Sequence, residues 1–248
     1  MSTKTTTLHP ALARARVLIV GVGGLGAPAA TALARAGVGT LGLVDPDVVE
    51  LSNLHRQPLY ATADVGRPKV EVAAERLREL GSVSTIDVRR ARFEAADVAF
   101  ARRFDVVLDG TDTVAAKFAV SDAAVHAGVP LVHAGVLGLR AQLLTVLPGR
   151  SACYRCVFEE APPAGEVPSC EEAGVLGPTV ALAAALQAAE AIRILTGAPA
   201  AYADRLLTLD LGAGHARFVP LGSNPHCPTC AGVRRPDVAP REGFRWTT

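Results

Sequence analysis

Ten consecutive residues restrict this chain more than any others: the apolar run Val17-Leu18-Ile19-Val20 passes directly into Gly21-Val22-Gly23-Gly24-Leu25-Gly26. A short run rich in β-branched residues, then glycines, then alanine- and leucine-rich sequence to Ala36 reads as strand, tight turn and helix. Glycines allow close backbone approach, and a helix N-terminus offers unpaired N–H groups to a phosphate. A second apolar run, Leu41-Gly42-Leu43-Val44, ends at Asp45, where a carboxylate can accept hydrogen bonds from ribose hydroxyls.

Further strands are expected at 84–88, 105–108, 130–134 and 142–147, with helical patterns at 69–80 and 114–127. Such alternation predicts an α/β fold, Rossmann-like, with a mostly parallel sheet flanked by helices. With 248 residues, half of them hydrophobic, and no repeats, a single domain over 1–231 is expected, followed by a proline- and arginine-rich tail over 232–248. A mobile crossover loop is expected at about 161–174. The long apolar stretch after it, Val175 to Leu195, is interrupted by Gln187, Glu190 and Arg193, and reads as a core helix rather than a membrane span. The 25 lysines and arginines nearly balance 24 aspartates and glutamates, which gives no electrostatic case for nucleic-acid or anionic-membrane partners. Residues 1–7 form a polar threonine-rich run unlike a signal peptide, so a cytoplasmic location is expected.

The glycine loop and Asp45 suit an NAD(P)-dependent oxidoreductase as well as an ATP enzyme. Downstream, Ser52-Asn53-Leu54-His55-Arg56-Gln57 and Gly66-Arg67-Pro68-Lys69 bring an arginine and a lysine toward the same nucleotide. Hydride transfer has no need of two cations at a triphosphate. Taken singly, Arg56 or Lys69 reads as a solvated surface charge, and Asp112 as the N-cap of the helix near Val114.

Together with Asp45-x-Asp47 and Asp109-Gly110-Thr111-Asp112, these motifs resemble, in order and spacing, the ThiF/MoeB/HesA family, bacterial relatives of ubiquitin-activating enzymes. The resemblance runs from about Arg16 to Cys230. It implies that Gly21, Gly23, Gly24, Gly26, Asp47 and Asp109 belong to the nucleotide site, that Asp45 holds the ribose, and that Arg56 and Lys69 hold the phosphates. Asn53 and Gln57 would complete the polar wall, and Asp112 would position Mg²⁺. The implied activity is ATP-dependent adenylylation of the C-terminal glycine of a ubiquitin-like, β-grasp sulfur carrier ending in Gly-Gly, as in thiamine, molybdopterin or tRNA-thiolation pathways. A homodimer and a separate persulfide donor protein are implied as well. A non-catalytic ATP-binding scaffold is the remaining alternative. Family members carry an Arg-Tyr-x-Arg-Gln type motif on an N-terminal helix, whereas residues 1–13 contain no arginine, and Arg14 and Arg16 lie close to the first strand. Thr113 stands where the family commonly has asparagine.

Cys153-Tyr154-Arg155-Cys156 and Cys227-Pro228-Thr229-Cys230 form two CxxC pairs, the spacing that turns paired thiolates onto one ion, and four cysteines with no open position indicate structural zinc. The fifth, Cys170, falls in the crossover loop before Glu171 and Glu172. Family members differ on whether a cysteine there links to the carrier or transfers sulfur, so Cys170 is a tentative catalytic residue beside the reading of an unreactive thiol.

Overall fold

The computed structural model describes residues 9–80, 84–163 and 174–233. Its strands are β1 (Arg16–Val20), β2 (Thr40–Val44), β3 (Thr85–Arg89), β4 (Val106–Asp109), β5 (Leu131–Leu137), β6 (Arg140–Val146), β7 (Arg205–Asp210) and β8 (His215–Pro220). They form one sheet in the order β3-β2-β1-β4-β5-β6-β7-β8. The first five strands in that order pair in parallel, and β5 through β8 pair antiparallel. The expected α/β, mostly parallel architecture is what the chain adopts.

The helices are α1 (Pro10–Arg14), α2 (Gly26–Arg35), α3 (Lys69–Glu79), α4 (Val98–Ala101), α5 (Val114–Ala127), α6 (Tyr154–Phe158) and α7 (Gly177–Leu195), with short 3-10 turns at Leu51–Arg56 and Thr62–Asp64. Alternate strand side chains feed two cores. Val17, Ile19, Leu41, Leu43 and Leu108 pack with α2, α3 and α7, while Leu18, Val20, Val44 and Val107 pack with α4 and α5. Period-two alternation with both faces buried is the expected pattern for a covered parallel sheet. The α7 helix meets the length and composition of a membrane span. Here Val180, Ala183, Ala184, Gln187, Ala188 and Ala191 are buried, against α2, β4, β5 and β6.

Two strands were not expected. β8 is exposed at every position, so it carries no alternation, and β7 has a single fully buried residue, Leu207. The β5–β6 hairpin extends past the expected ends through a two-residue turn at Gly138-Leu139, where Gly138 takes φ +58°. Glycine at the first turn position is the type II′ preference. Residues 1–8, the segment 164–173 with Cys170, and the tail from 234 lie outside the described residues.

The strand order reverses direction between β1 and β4, which opens a crevice at the carboxyl ends of both. Three glycines meet there. A Cβ on Gly26 would sit 1.8 Å from the Gly21 carbonyl oxygen, and one on Gly110 would sit 2.6 Å from the same atom. Gly26→Ala is therefore expected to cost about 3 kcal/mol or more through forced overpacking, measured as the urea midpoint. An unchanged midpoint would contradict this contact.

Candidate nucleotide site and cysteine cluster

Beyond the glycine contact lies a cleft of about 440 Å³. Its lining includes Gly21, Gly23, Gly24, Asp45, Asp47, Asn53, Arg56, Gln57, Lys69 and Asp112 from the sequence expectations. Gly26 and Asp109 are not on the lining. Gly26 opens α2 behind the loop, and Asp109 is fully buried beneath it. A larger groove of about 740 Å³ between α2 and α3 is mostly apolar, and its Arg76 is already paired with Asp64 and Glu79. It gathers no comparable set of polar groups.

The glycine loop is held from both sides at Val22. The Val22 amide donates to Asp45 Oδ2 at 2.7 Å, and the Tyr60 hydroxyl donates to the Val22 carbonyl at 2.5 Å. Asp45 Oδ1 accepts from the Asp47 amide at 2.9 Å. Burial pushes the Asp45 carboxyl above its ordinary value, opposed by the charge of Lys69 and by these two amides. Each oxygen keeps a second lone pair for another donor. Helix α2 has no side-chain cap, so the loop end is left to an external acceptor.

Both predicted cations face this cleft, each with a local partner. Lys69, the first residue of α3 and nearly buried, pairs with exposed Asp47 at 3.1 Å. A cation in the first turn runs against the helix dipole, so the dipole does not explain its place. Arg56 donates to Asn53 Oδ1, and Asn53 Nδ2 donates to Glu50 at 2.9 Å. His55 lies with Nε2 3.5 Å from Arg56 and Nδ1 2.9 Å from the Ser52 carbonyl. Gln57 is buried on the cleft wall, and its Oε1 has no hydrogen-bond partner among the described residues. An orphaned buried acceptor costs roughly 1–3 kcal/mol, which a ligand donor would offset.

Asp112 is exposed on the cleft and makes no hydrogen bond or ion pair among the described residues. It is not the helix cap. Thr113 is the N-cap of α5, its Oγ1 accepting from the Ala116 amide at 3.3 Å. Below Asp112 lies a group that the sequence reading missed. Asp109 Oδ2 accepts from His133 Nδ1 at 2.7 Å and Lys117 at 3.3 Å, and Oδ1 accepts from the Thr111 amide and hydroxyl at 3.0 and 2.6 Å. Gln187 on α7 donates to the Asp109 and Val132 carbonyls, both at 2.8 Å. One signal was available: Lys117 is a cation near the N-terminus of an otherwise apolar helix segment. His133 and Gln187 had none, since both sit within apolar runs. Arg92 also lines the cleft from the loop after β3.

The four cysteines of the two CxxC pairs gather with their Sγ atoms all within 4.8 Å of one another. The Cys153–Cys156, Cys153–Cys227 and Cys156–Cys230 separations are 3.5 to 3.7 Å, too long for disulfides. An M–S distance near 2.3 Å in a tetrahedron gives S···S edges of about 3.8 Å, so the cluster is positioned to bind a metal ion. Arg155 and Thr229, one from each CxxC segment, both donate to Asp122 on α5, at 2.8 and 2.9 Å. The Tyr154 ring lies 4.8 Å from His133 and 5.0 Å from Phe118.

Burial lowers the His133 pKa below 6.5, partly opposed by its bond to Asp109. Burial raises Asp109, but Lys117, His133 and Thr111 outweigh it and hold it well below 3.8. Both folded values lie below the unfolded ones, so the unfolded chain binds more protons at acid pH. Stability is then level above 6.5, declines below it through His133, and falls again below 3.8 through Asp109. Urea midpoints should drop between about pH 7.5 and 5.5, and His133→Asn, which keeps a donor to Asp109, should flatten that decline. A midpoint rising toward acid would contradict the assignment.

The ThiF family model matches residues 6–229. The chain is 41% identical to the sulfur carrier protein adenylyltransferase of Thermus thermophilus, covering 88% of this chain and 83% of that one. It is 44% identical to adenylyltransferase and sulfurtransferase MOCS3 of Bos taurus over 94% of this chain, and spans 51% of that protein's length. For the uba4 protein of Aspergillus terreus, with the same two-activity name, the identity is 49% over 75% of this chain and the span 40%. The chain thus covers about half or less of these two longer relatives. The crystal structure of E. coli MccB with ATP shares the fold, with a TM-score of 0.79 at 24% identity over 89% of this chain and 68% of that one.

Proposed function

This chain belongs to the ThiF family, and we propose that its cleft uses ATP to adenylylate the C-terminal glycine carboxylate of a ubiquitin-like, β-grasp sulfur carrier ending in Gly-Gly. The observation that carries this reading is the gathering of Lys69, Arg56 and Asp45 on one cleft with the glycine loop, where Arg56 lies directly against Gly24. Adenylylation asks for this arrangement. A carboxylate oxygen of the carrier bonds to the α-phosphorus, the bond from that phosphorus to the bridging oxygen breaks, and pyrophosphate leaves with the electron pair. Little covalent help is required; charge neutralisation and alignment are.

Asp45 would take the ribose with its spare lone pairs, while the uncapped α2 terminus, Gly21, Gly23 and Gly24 admit phosphate to the backbone. Lys69 would exchange Asp47, and Arg56 would exchange Asn53, for phosphate oxygens. Asn53 and Gln57 form the polar wall, and the orphaned Gln57 Oε1 suits a donor on the ligand. Asp112, an exposed carboxylate with no protein partner among the described residues, fits a hard cation. Mg²⁺ bound there would neutralise the phosphates as pyrophosphate leaves. The closed sulfur set fits Zn²⁺ in a structural role. A cytoplasmic homodimer, and sulfur delivered by a persulfide donor protein, complete the proposal. Cys170 is the thiol proposed to receive the activated carrier; Cys170→Ser would then keep adenylylation and lose the later transfer.

Asp112→Ala is expected to lower carrier-dependent ATP–pyrophosphate exchange by about 100-fold or more while metal content and fold persist. Near-normal exchange would remove the Mg²⁺ role. Purified protein should hold one zinc per chain by elemental analysis, and Cys227→Ser should release it and lower the thermal midpoint. Full metal retention in that variant would refute the four-cysteine site.

A further inference from the structure

Lys117 lines the cleft yet has no donor to spare for a ligand. Its ammonium lies 2.7 Å from the Thr111 carbonyl, 2.9 Å from the Ala134 carbonyl and 3.3 Å from Asp109 Oδ2, which uses all three of its N–H bonds. The side chain is only 11% exposed. The Thr111 carbonyl and the Asp112 amide share one rigid peptide plane. On its other side Thr111 is fixed by its amide and hydroxyl to Asp109 Oδ1. Thr111 is thereby gripped fore and aft, and the next side chain along is the unpartnered Asp112.

The anchor beneath cannot readily shift. Asp109 is fully buried, bonded to His133 through its carboxylate and to Gln187 through its carbonyl. The Ala134 carbonyl ties Lys117 to β5 as well, so α5, β4 and β5 meet at one ammonium group.

We propose that Lys117 is a positioning residue, which sets the Thr111–Asp112 peptide so that the Asp112 carboxylate meets the metal of a metal–nucleotide complex, without itself touching the nucleotide. This rests on the reading of Asp112 as the magnesium carboxylate. A residue acting through the ligand's carrier peptide should change metal affinity in the way supporting groups do, by about 10-fold or more, and leave metal-free nucleotide affinity nearly unchanged.

The test is Mn²⁺ titration, read by its paramagnetic signal, with a non-hydrolysable ATP analogue on the full chain, beside analogue binding in chelator. Lys117→Met is expected to weaken Mn²⁺ binding about 10-fold and metal-free analogue binding less than about 2-fold, with partial rescue in Lys117→Arg. Thr111→Val, which removes only the hydroxyl bond to Asp109, should produce a smaller loss of the same kind. It decides the matter if Lys117→Met does not fold. Equal losses with and without metal would overturn the proposal, as would unchanged Mn²⁺ affinity or a wild type that binds no Mn²⁺ with the analogue. A wild type that binds the Mn²⁺ complex but never forms an acyl-adenylate would sink the proposed activity and leave this inference standing.

Discussion

The approach of Gly26 to the Gly21 carbonyl, closer than any Cβ permits, fixes where α2 begins relative to β1. Because Gly110 packs on the same oxygen, the end of β4 is set by the same contact. One crowded backbone junction therefore places two parts of the cleft lining side by side, the glycine loop and the Thr111–Asp112 peptide. Asp45 and Tyr60 then clamp Val22 from its two polar ends, so the loop is ordered by protein groups before any phosphate arrives.

The charges in this cleft are satisfied in advance, and to different degrees. Lys117 is consumed by buried Asp109 and two backbone carbonyls, and the His133 imidazole, whose charging burial disfavours, completes the set beneath the cleft. Lys69 and Arg56 are held by groups that can be exchanged, an exposed carboxylate and an amide oxygen. Asp47 is the exposed member of its pair with buried Lys69, so the multiply charged phosphates of ATP can take its place while the carboxylate returns to water. The distinction separates scaffold cations from ligand cations without reference to position in the chain. The cysteine cluster bears on the scaffold side, since Tyr154 packs on His133 and both CxxC segments reach Asp122 on α5.

Much of this was legible in the sequence because it is local. The strand, glycine loop and helix, the carboxylate ending β2, and the paired cysteines each announce themselves within a few residues, and the described structure brings Asp45, Asn53, Arg56, Gln57, Lys69 and Asp112 to one cleft. What escaped was tertiary. His133 and Gln187 read as polar interruptions of apolar runs until β5 and α7 lie beside β4. Asp109 was read as a cleft residue, but it is the buried anchor, because a strand-end carboxylate can turn inward once a histidine and a lysine cover it. β8 escaped because an edge strand exposed on both faces carries no period-two signal. Arg16 opens β1 and stacks over Phe104 at 5.6 Å. Cys170 falls outside the described residues, so the role proposed for it rests on the sequence alone.

The central claim is that this cleft joins AMP to a carrier carboxylate. Its most direct measurement is the intact mass of a β-grasp carrier ending in Gly-Gly after incubation with the chain, ATP and Mg²⁺, with a carrier shortened by its last glycine as control. The expected result is a carrier gaining the mass of one adenylyl group, AMP less one water, at its C-terminus, sensitive to pyrophosphate, with none on the shortened form. ATP binding without any carrier adduct, across carriers from the same cell, would contradict it.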